Sequence, residues 1–197
     1  MDIKSHRDGT GRGAESKPRR WHPASVVLHW LTFLLILFQF WVSGPMLDEK
    51  RDLLSRFEFY QLHKSVGLTI AAFVILRLVL RLAVRQPGPD SADPWLRRSA
   101  GLVHGALYLC LCALPVTGLL MAAAAPIEIP TLYFGLFRVP HPLGPDPAIY
   151  RRMLWLHHQT GNILIALGSV HVAAVACHML LWRDGLLGRM WFGRRWQ

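Results

Sequence analysis

Four long apolar runs, separated by shorter polar or Pro-rich stretches, set the organisation of this chain. They cover residues 24–47, 59–82, 100–125 and 153–182, and each reaches the roughly 20 residues that a helix needs to cross a bilayer core. Gly44-Pro45 closes the first run, and the mixed-charge segment from Asp48 to Glu58 makes a short loop. Residues 85–98 (RQPGPDSADPWLRR) form a Pro-rich polar loop. Pro115 sits inside the third run, where neighbouring helices satisfy the carbonyl it frees. The connection at 126–151 is dense in Pro, Gly and aromatics. It is too long and too apolar for a simple turn, and is expected to fold back over the membrane surface and cover something. The predicted class is an all-α membrane protein: a four-transmembrane-helix bundle over residues 21–190, between a disordered basic tail at 1–20 and a short basic tail at 191–197.

Composition supports that class. The 197 residues are 52% hydrophobic with 8 Trp. The net charge of +10 is carried on segments that flank the apolar runs and not on one face, which argues for membrane-flanking charge and against nucleic acid as a partner. The first 20 residues lack an apolar core, so no cleavable signal peptide is expected before the first span. Cys110, Cys112 and Cys177 lie inside apolar runs and read as small buried residues, not as disulfides or metal ligands. With an even number of spans, both tails and the 85–98 loop share one side. That side carries fifteen Lys and Arg, from Lys4 to Arg195, against seven on the other: Lys50, Arg51, Arg56, Lys64, Arg138, Arg151 and Arg152. The excess places both termini in the cytoplasm.

The histidines change the picture from architecture to chemistry, because ionisable groups inside a membrane are costly and mark function. The fourth run carries His157, His158, His171 and His178. At about 100° and 1.5 Å per residue, His157 and His171 lie about 40° apart in azimuth and roughly 21 Å apart along the helix, with Gly161, Gly168 and His178 on the same stripe. His29, nine residues after Arg20, matches the depth of His171, twelve residues before Arg183. His63 and His157 both lie near the outer starts of their runs. Two imidazoles from different helices at equal height are what a bis-histidine haem requires, and filled axial positions favour electron transfer over oxygen binding. Gly67, Gly161 and Gly168 let a porphyrin face approach backbone; simple helix-on-helix packing is the alternative for each. Arg77 and Arg81 share the inward azimuth of His63 near the cytoplasmic end, where a haem propionate or a quinone head group would take a fixed cation; snorkelling to lipid headgroups is the alternative. His104 and His178 have no depth-matched partner. His178 suits a hydrogen bond to a quinone carbonyl or proton delivery, His104 reads as a satisfied interfacial residue, and His22 and His141 as solvent or interface residues.

Several segments together resemble the prokaryotic cytochrome b561 family: LHW at 28–30, YQLHKSVGL at 60–68, LRLVLRL at 76–82, HGALYLCLCALPVTGLLM at 104–121, FGLFRVPHPLG at 134–144, LHHQTGN at 156–162 and HVAAVACHMLLWRDGLLGRM at 171–190. The resemblance implies four helices, two b-type haems and electron exchange with the quinone pool. Its axial ligands fall on His29, His63, His157 and His171, the four already paired by depth. One departure is His158, where a Glu is common. The doublet leaves 157 and 158 as rival ligands, and the Gly161 stripe with the 14-residue spacing to His171 favours 157.

Three functional readings follow. In the first, single electrons pass between a periplasmic donor and the ubiquinone pool through the His63/His157 and His29/His171 haems, with Arg77, Arg81 and His178 as quinone contacts. Some members of the family resemble a superoxide oxidase, so superoxide is a candidate donor and a superoxide:ubiquinone oxidoreductase a candidate activity. In the second, the chain is a haem-b membrane-anchor subunit for a periplasmic hydrogenase, dehydrogenase or other secreted partner. In the third it is a haem-free proton-coupled transporter whose histidines relay protons. Arg138, Arg151 and Arg152 near the outer mouth would attract a small anionic donor or dock an acidic protein.

Overall fold

The computed structural model describes residues 21–84, 93–183, 185 and 187–190. The two tails and residues 85–92 of the Pro-rich loop lie outside that range. Four helices are long and apolar enough to cross a membrane: α1 (Pro23–Leu47), α2 (Leu53–Ala83), α3 (Pro94–Ala123) and α4 (Pro147–Cys177). A single π turn, His178–Trp182, continues α4, and a 3₁₀ turn follows at Leu187–Met190.

Helices α2, α3 and α4 each begin six residues before the apolar run that predicts them. The reason is local capping chemistry. Asp52, Asp93 and Asp146 accept hydrogen bonds from the first free amides of α2, α3 and α4, and Pro23, Pro94 and Pro147 occupy first helical positions, where the missing N–H costs nothing. Residues 94–98 of the supposed loop and 147–151 of the supposed connection are therefore helical.

The rest of the 126–151 connection holds a two-stranded antiparallel ribbon, β1 (Thr131–Tyr133) and β2 (Phe137–Val139). Its turn has left-handed backbone at both central residues, Phe134 (φ 47°) and Gly135 (φ 73°), closed by Leu136 N–H to Tyr133 O at 2.9 Å. Left-handed central residues match the twist of the flanking strands. An isolated ribbon is marginal in water, and this one is held by α2. Gln61 donates to Pro130 O (2.8 Å) and accepts from Leu132 N (3.0 Å). Ser65 accepts from Phe134 N (2.9 Å), and Thr69 meets the Tyr133 hydroxyl at 3.1 Å. The connection thus packs along α2 from Gln61 to Thr69.

The bundle is two helical hairpins, α1 with α2 and α3 with α4, joined mainly along α2 and α3. Val66, Ile70, Val74, Cys110, Leu111 and Leu164 form the buried core, with Leu35, Ile36, Leu107, Tyr108 and Leu167 packed against it. On α2 this core falls between His63 and Arg77, and on α4 between His157 and His171, so it separates two polar layers. Large apolar side chains such as Leu34, Trp41, Leu76, Val79, Leu109, Trp155 and Val170 face outward. In a multi-pass membrane protein that exposed apolar belt is the lipid-facing surface. Cys110 is buried, whereas Cys112 and Cys177 are exposed on that belt, which corrects their reading as buried residues; all three are free thiols.

Candidate functional site

The bundle brings histidines from different helices together at two levels. In the layer on the hairpin side, termed outer, His63 of α2 faces His157 of α4 with ring centres 6.2 Å apart. In the layer toward the chain termini, termed inner, His29 of α1 faces His171 of α4 at 6.4 Å. The separation has a physical meaning. A five-membered ring with bonds of about 1.33 Å has its nitrogens about 1.1 Å from its centre. With metal–imidazole bonds of about 2 Å, two imidazoles trans on one metal have ring centres about 6.3 Å apart. Both pairs match that value. Ring planes cross at 66° and 69°, and trans imidazoles are free to rotate about their common axis.

His104 of α3 also reaches the inner layer. Its ring centre is 5.3 Å from that of His171, too close for trans ligation, so His104 is a neighbour of the inner pair and not only an interfacial residue. His158 is exposed, while His157, one position and 100° away, turns into the bundle. The doublet thus splits geometrically.

The nitrogens away from the facing edges are treated differently in each layer. His157 Nδ1 lies 3.1 Å from the Leu114 carbonyl and 3.1 Å from Thr117 Oγ1. His63 Nδ1 is buried without a hydrogen-bond partner, and the His63 carbonyl accepts from Gln39 Nε2 at 2.9 Å. His29 Nδ1 lies 3.2 Å from Arg77 Nη2. A guanidinium only donates, so His29 is held as an acceptor at Nδ1. Arg77 and Arg81 both lie over the Tyr108 ring, at 5.4 and 5.8 Å.

The glycines divide as well. A Cβ on Gly67 would meet only the end of the Gln39 side chain, Nε2 at 3.4 Å, an ordinary contact across α1 and α2. A Cβ on Gly161 or Gly168 would meet nothing within 4 Å. Helix packing does not account for these two, and they leave bare backbone beside the histidine face of α4. His178 caps α4 at the start of the π turn, its ring edge-on to Trp182 at 4.4 Å.

The model of prokaryotic cytochrome b561 matches residues 20–193. The chain belongs to the prokaryotic cytochrome b561 family. It is 29% identical over 181 residues to cytochrome b561 homolog 2 of Escherichia coli strain K12, covering 88% of this chain and 92% of that one. It is 22% identical over 172 residues to cytochrome b561 homolog 1 of the same organism, covering 87% and 96%. As a cytochrome b561 family member it is a membrane b-type cytochrome that binds haem b and transfers electrons, which sets aside the haem-free transporter.

The residues present fit haem b. Each layer offers two imidazoles at trans spacing, and among the described residues no group of three or more His, Cys, Asp or Glu converges to hold a bare metal ion. A porphyrin supplies the four remaining ligands that an imidazole pair leaves open. The outer pair fits directly, because His157 donates through Nδ1 and leaves Nε2 free. The inner pair fits in spacing but needs Arg77 off His29 Nδ1, since a neutral imidazole that ligates through Nε2 carries its proton on Nδ1.

Several residues around the two histidine layers escape a reading of histidines and depth. Thr117 and Gly118 lie just after Pro115, and the P-x-T-G run was their signal. Tyr108 stands one helical turn after His104, on the same face. Gln39, Gln61 and Ser65 act across helices and leave no local mark. His141 is no plain solvent residue: its Nε2 lies 3.0 Å from Thr131 Oγ1 and its Nδ1 is buried without a partner. Burial first, then the charges of Lys64 and Arg138, hold its pKa below the ordinary value despite Glu128.

Proposed function

We propose that the protein is a dihaem b cytochrome of the bacterial inner membrane that moves single electrons between a periplasmic donor and the ubiquinone pool. In this reading both termini are cytoplasmic, His63 and His157 hold the outer haem, and His29 and His171 hold the inner one. The observation that carries it is the pair of cross-helix imidazole spacings, 6.2 and 6.4 Å, each matching trans ligation, in a member of a b-type cytochrome family. Haem b supplies a reversible one-electron iron couple, and filled axial positions leave no site for dioxygen. Gly161 and Gly168 give the planar groups room. Arg77 would supply the cation for a propionate in place of its contact with His29, and Tyr108, under both Arg77 and Arg81, would hold them near the inner haem. A guanidinium fork suits such a carboxylate bidentately. Arg81 and His178, toward the cytoplasmic end, contact the quinone head group.

On the outer surface the charges favour a protein donor alongside the small anion. Arg138, one of three cations that would attract superoxide, is paired with Glu128 at 3.0 Å, which reduces its reach. Beside it the hairpin tip exposes Leu136 (78%) and Phe137 (57%), apolar area that suits a secreted partner. Stopped-flow mixing separates the readings. Reduced protein mixed with ubiquinone is expected to reoxidise, and oxidised protein mixed with superoxide to become reduced. No response to quinone refutes the proposed acceptor. A response to quinone without one to superoxide leaves the secreted partner as donor.

A further inference from the structure

The third helix builds a mount for one ring of the outer pair. Pro115 removes a backbone donor from the middle of α3. Two residues on, Thr117 Oγ1 donates back to Ala113 O at 2.8 Å, with Leu114 O at 3.1 Å. Its single proton is committed to these carbonyls, so the oxygen faces His157 Nδ1 with lone pairs only. Leu114 O is also an acceptor. Nδ1 therefore meets two acceptors at 3.1 Å and must itself carry the proton. Gly118 completes the mount: a Cβ there would stand 3.2 Å from His157 Cε1 and 3.4 Å from Nδ1, so a side chain would push the ring aside by a few tenths of an ångström. The ring lies against bare backbone with its tautomer fixed. His63, its counterpart across the layer, has no such support at Nδ1.

We propose that Thr117 is a positioning residue for the outer haem. Together with the Leu114 carbonyl it holds His157 as the Nδ1–H tautomer and makes Nε2 the more basic of the two outer ligands, which favours ferric over ferrous iron and lowers the reduction potential of that centre alone. Partners behind a ligating histidine orient it and raise its basicity, and losing one typically costs about 10- to 100-fold in metal affinity or activity. The inference rests on the assignment of His63 and His157 to one haem.

The test is a potentiometric titration of the purified, haem-loaded protein followed in the α-band, with haem content measured in parallel. Thr117→Val keeps the shape and removes the acceptor. It is expected to retain both haems and to raise one midpoint by about 59 mV, the one-electron equivalent of a tenfold change, while the other midpoint stays in place. Thr117→Ser restores the hydroxyl and is expected to restore the potential. Unchanged midpoints in Thr117→Val, or a Thr117→Ser variant that behaves like Thr117→Val, overturn the proposal. Should Thr117→Val shed a haem, Thr117→Ser decides: wild-type potentials support the role, and shifted potentials or lost haem refute it. His157→Ala separates the two levels of the argument. If it keeps both haems, the ligand assignment fails. If it loses one while Thr117→Val leaves the potentials unmoved, only the positioning role fails.

Discussion

Replacing Ser65 with Ala tests how the outer hairpin is fastened over the haem-bearing part of α2. Ser65 is 1% exposed. Its hydroxyl lies 2.9 Å from Gln61 O and 3.1 Å from Leu132 O, and it accepts the Phe134 N–H at 2.9 Å. The last bond matters most, because Phe134 has a left-handed backbone (φ 47°), which costs an L-residue roughly 1–2 kcal/mol. Ser65→Ala leaves the Phe134 N–H and the Leu132 carbonyl without that partner. At about 1 kcal/mol for a lost hydrogen bond, with the one hydroxyl proton shared between Gln61 O and Leu132 O, docking weakens by about 1–2 kcal/mol, a factor of about 5 to 30 in the opening equilibrium. Helix α2 itself is not harmed, since Ala is the better helix former. Hydrogen exchange read by mass spectrometry on segment 131–139 is expected to speed up about 5- to 30-fold, with helical segments unchanged. Unaltered exchange in the hairpin refutes the reasoning, and so does a loss of protection spread through all four helices.

Gly168→Leu separates room for a cofactor from helix packing. A side chain there meets no protein atom within 4 Å, and Gly is about 1 kcal/mol worse than Ala in a helix. The haem-free protein is expected to melt no lower than wild type, while haem content falls to about one per chain; a full haem complement refutes the role. His141 predicts a pH dependence of the hairpin. Its pKa is below 6.5 in the folded protein, so the unfolded or undocked chain binds the proton more readily. Docking strength is full above about pH 6.5 and is lost as pH falls through the lower folded value. Exchange in segment 131–139, corrected for intrinsic rates, is expected to rise on acidification in wild type and not in His141→Gln. A pH-independent hairpin in wild type contradicts this.

The four spans were legible because length and hydropathy alone decide them, and the histidine pairs because flanking Lys and Arg give each residue a depth. The helix starts were not, since they depend on single polar caps, Asp52, Asp93 and Asp146, which an apolar window ignores. The hairpin escaped for two reasons. Its turn places Phe134 where Asn or Gly is the usual signal, and its anchors on α2 lie 67 and 69 positions away in sequence. Depth also could not rank His104, since three imidazoles at one level separate only by ring spacing. Thr117 escaped because its partner is 40 residues distant; only the P-x-T-G run around Pro115 hinted that α3 had something to hold.

The central claim, that His63 pairs with His157 and His29 with His171, is tested most directly by haem-to-protein ratios. Wild type, His104→Ala and His158→Ala are expected to hold about two haems per chain, and each of the four ligand variants about one. The double variants are decisive. His63→Ala with His157→Ala is predicted to keep about one haem, as is His29→Ala with His171→Ala, whereas His63→Ala with His171→Ala is predicted to keep almost none. Two haems retained in His157→Ala, or about one in the crossed double variant, contradict the pairing.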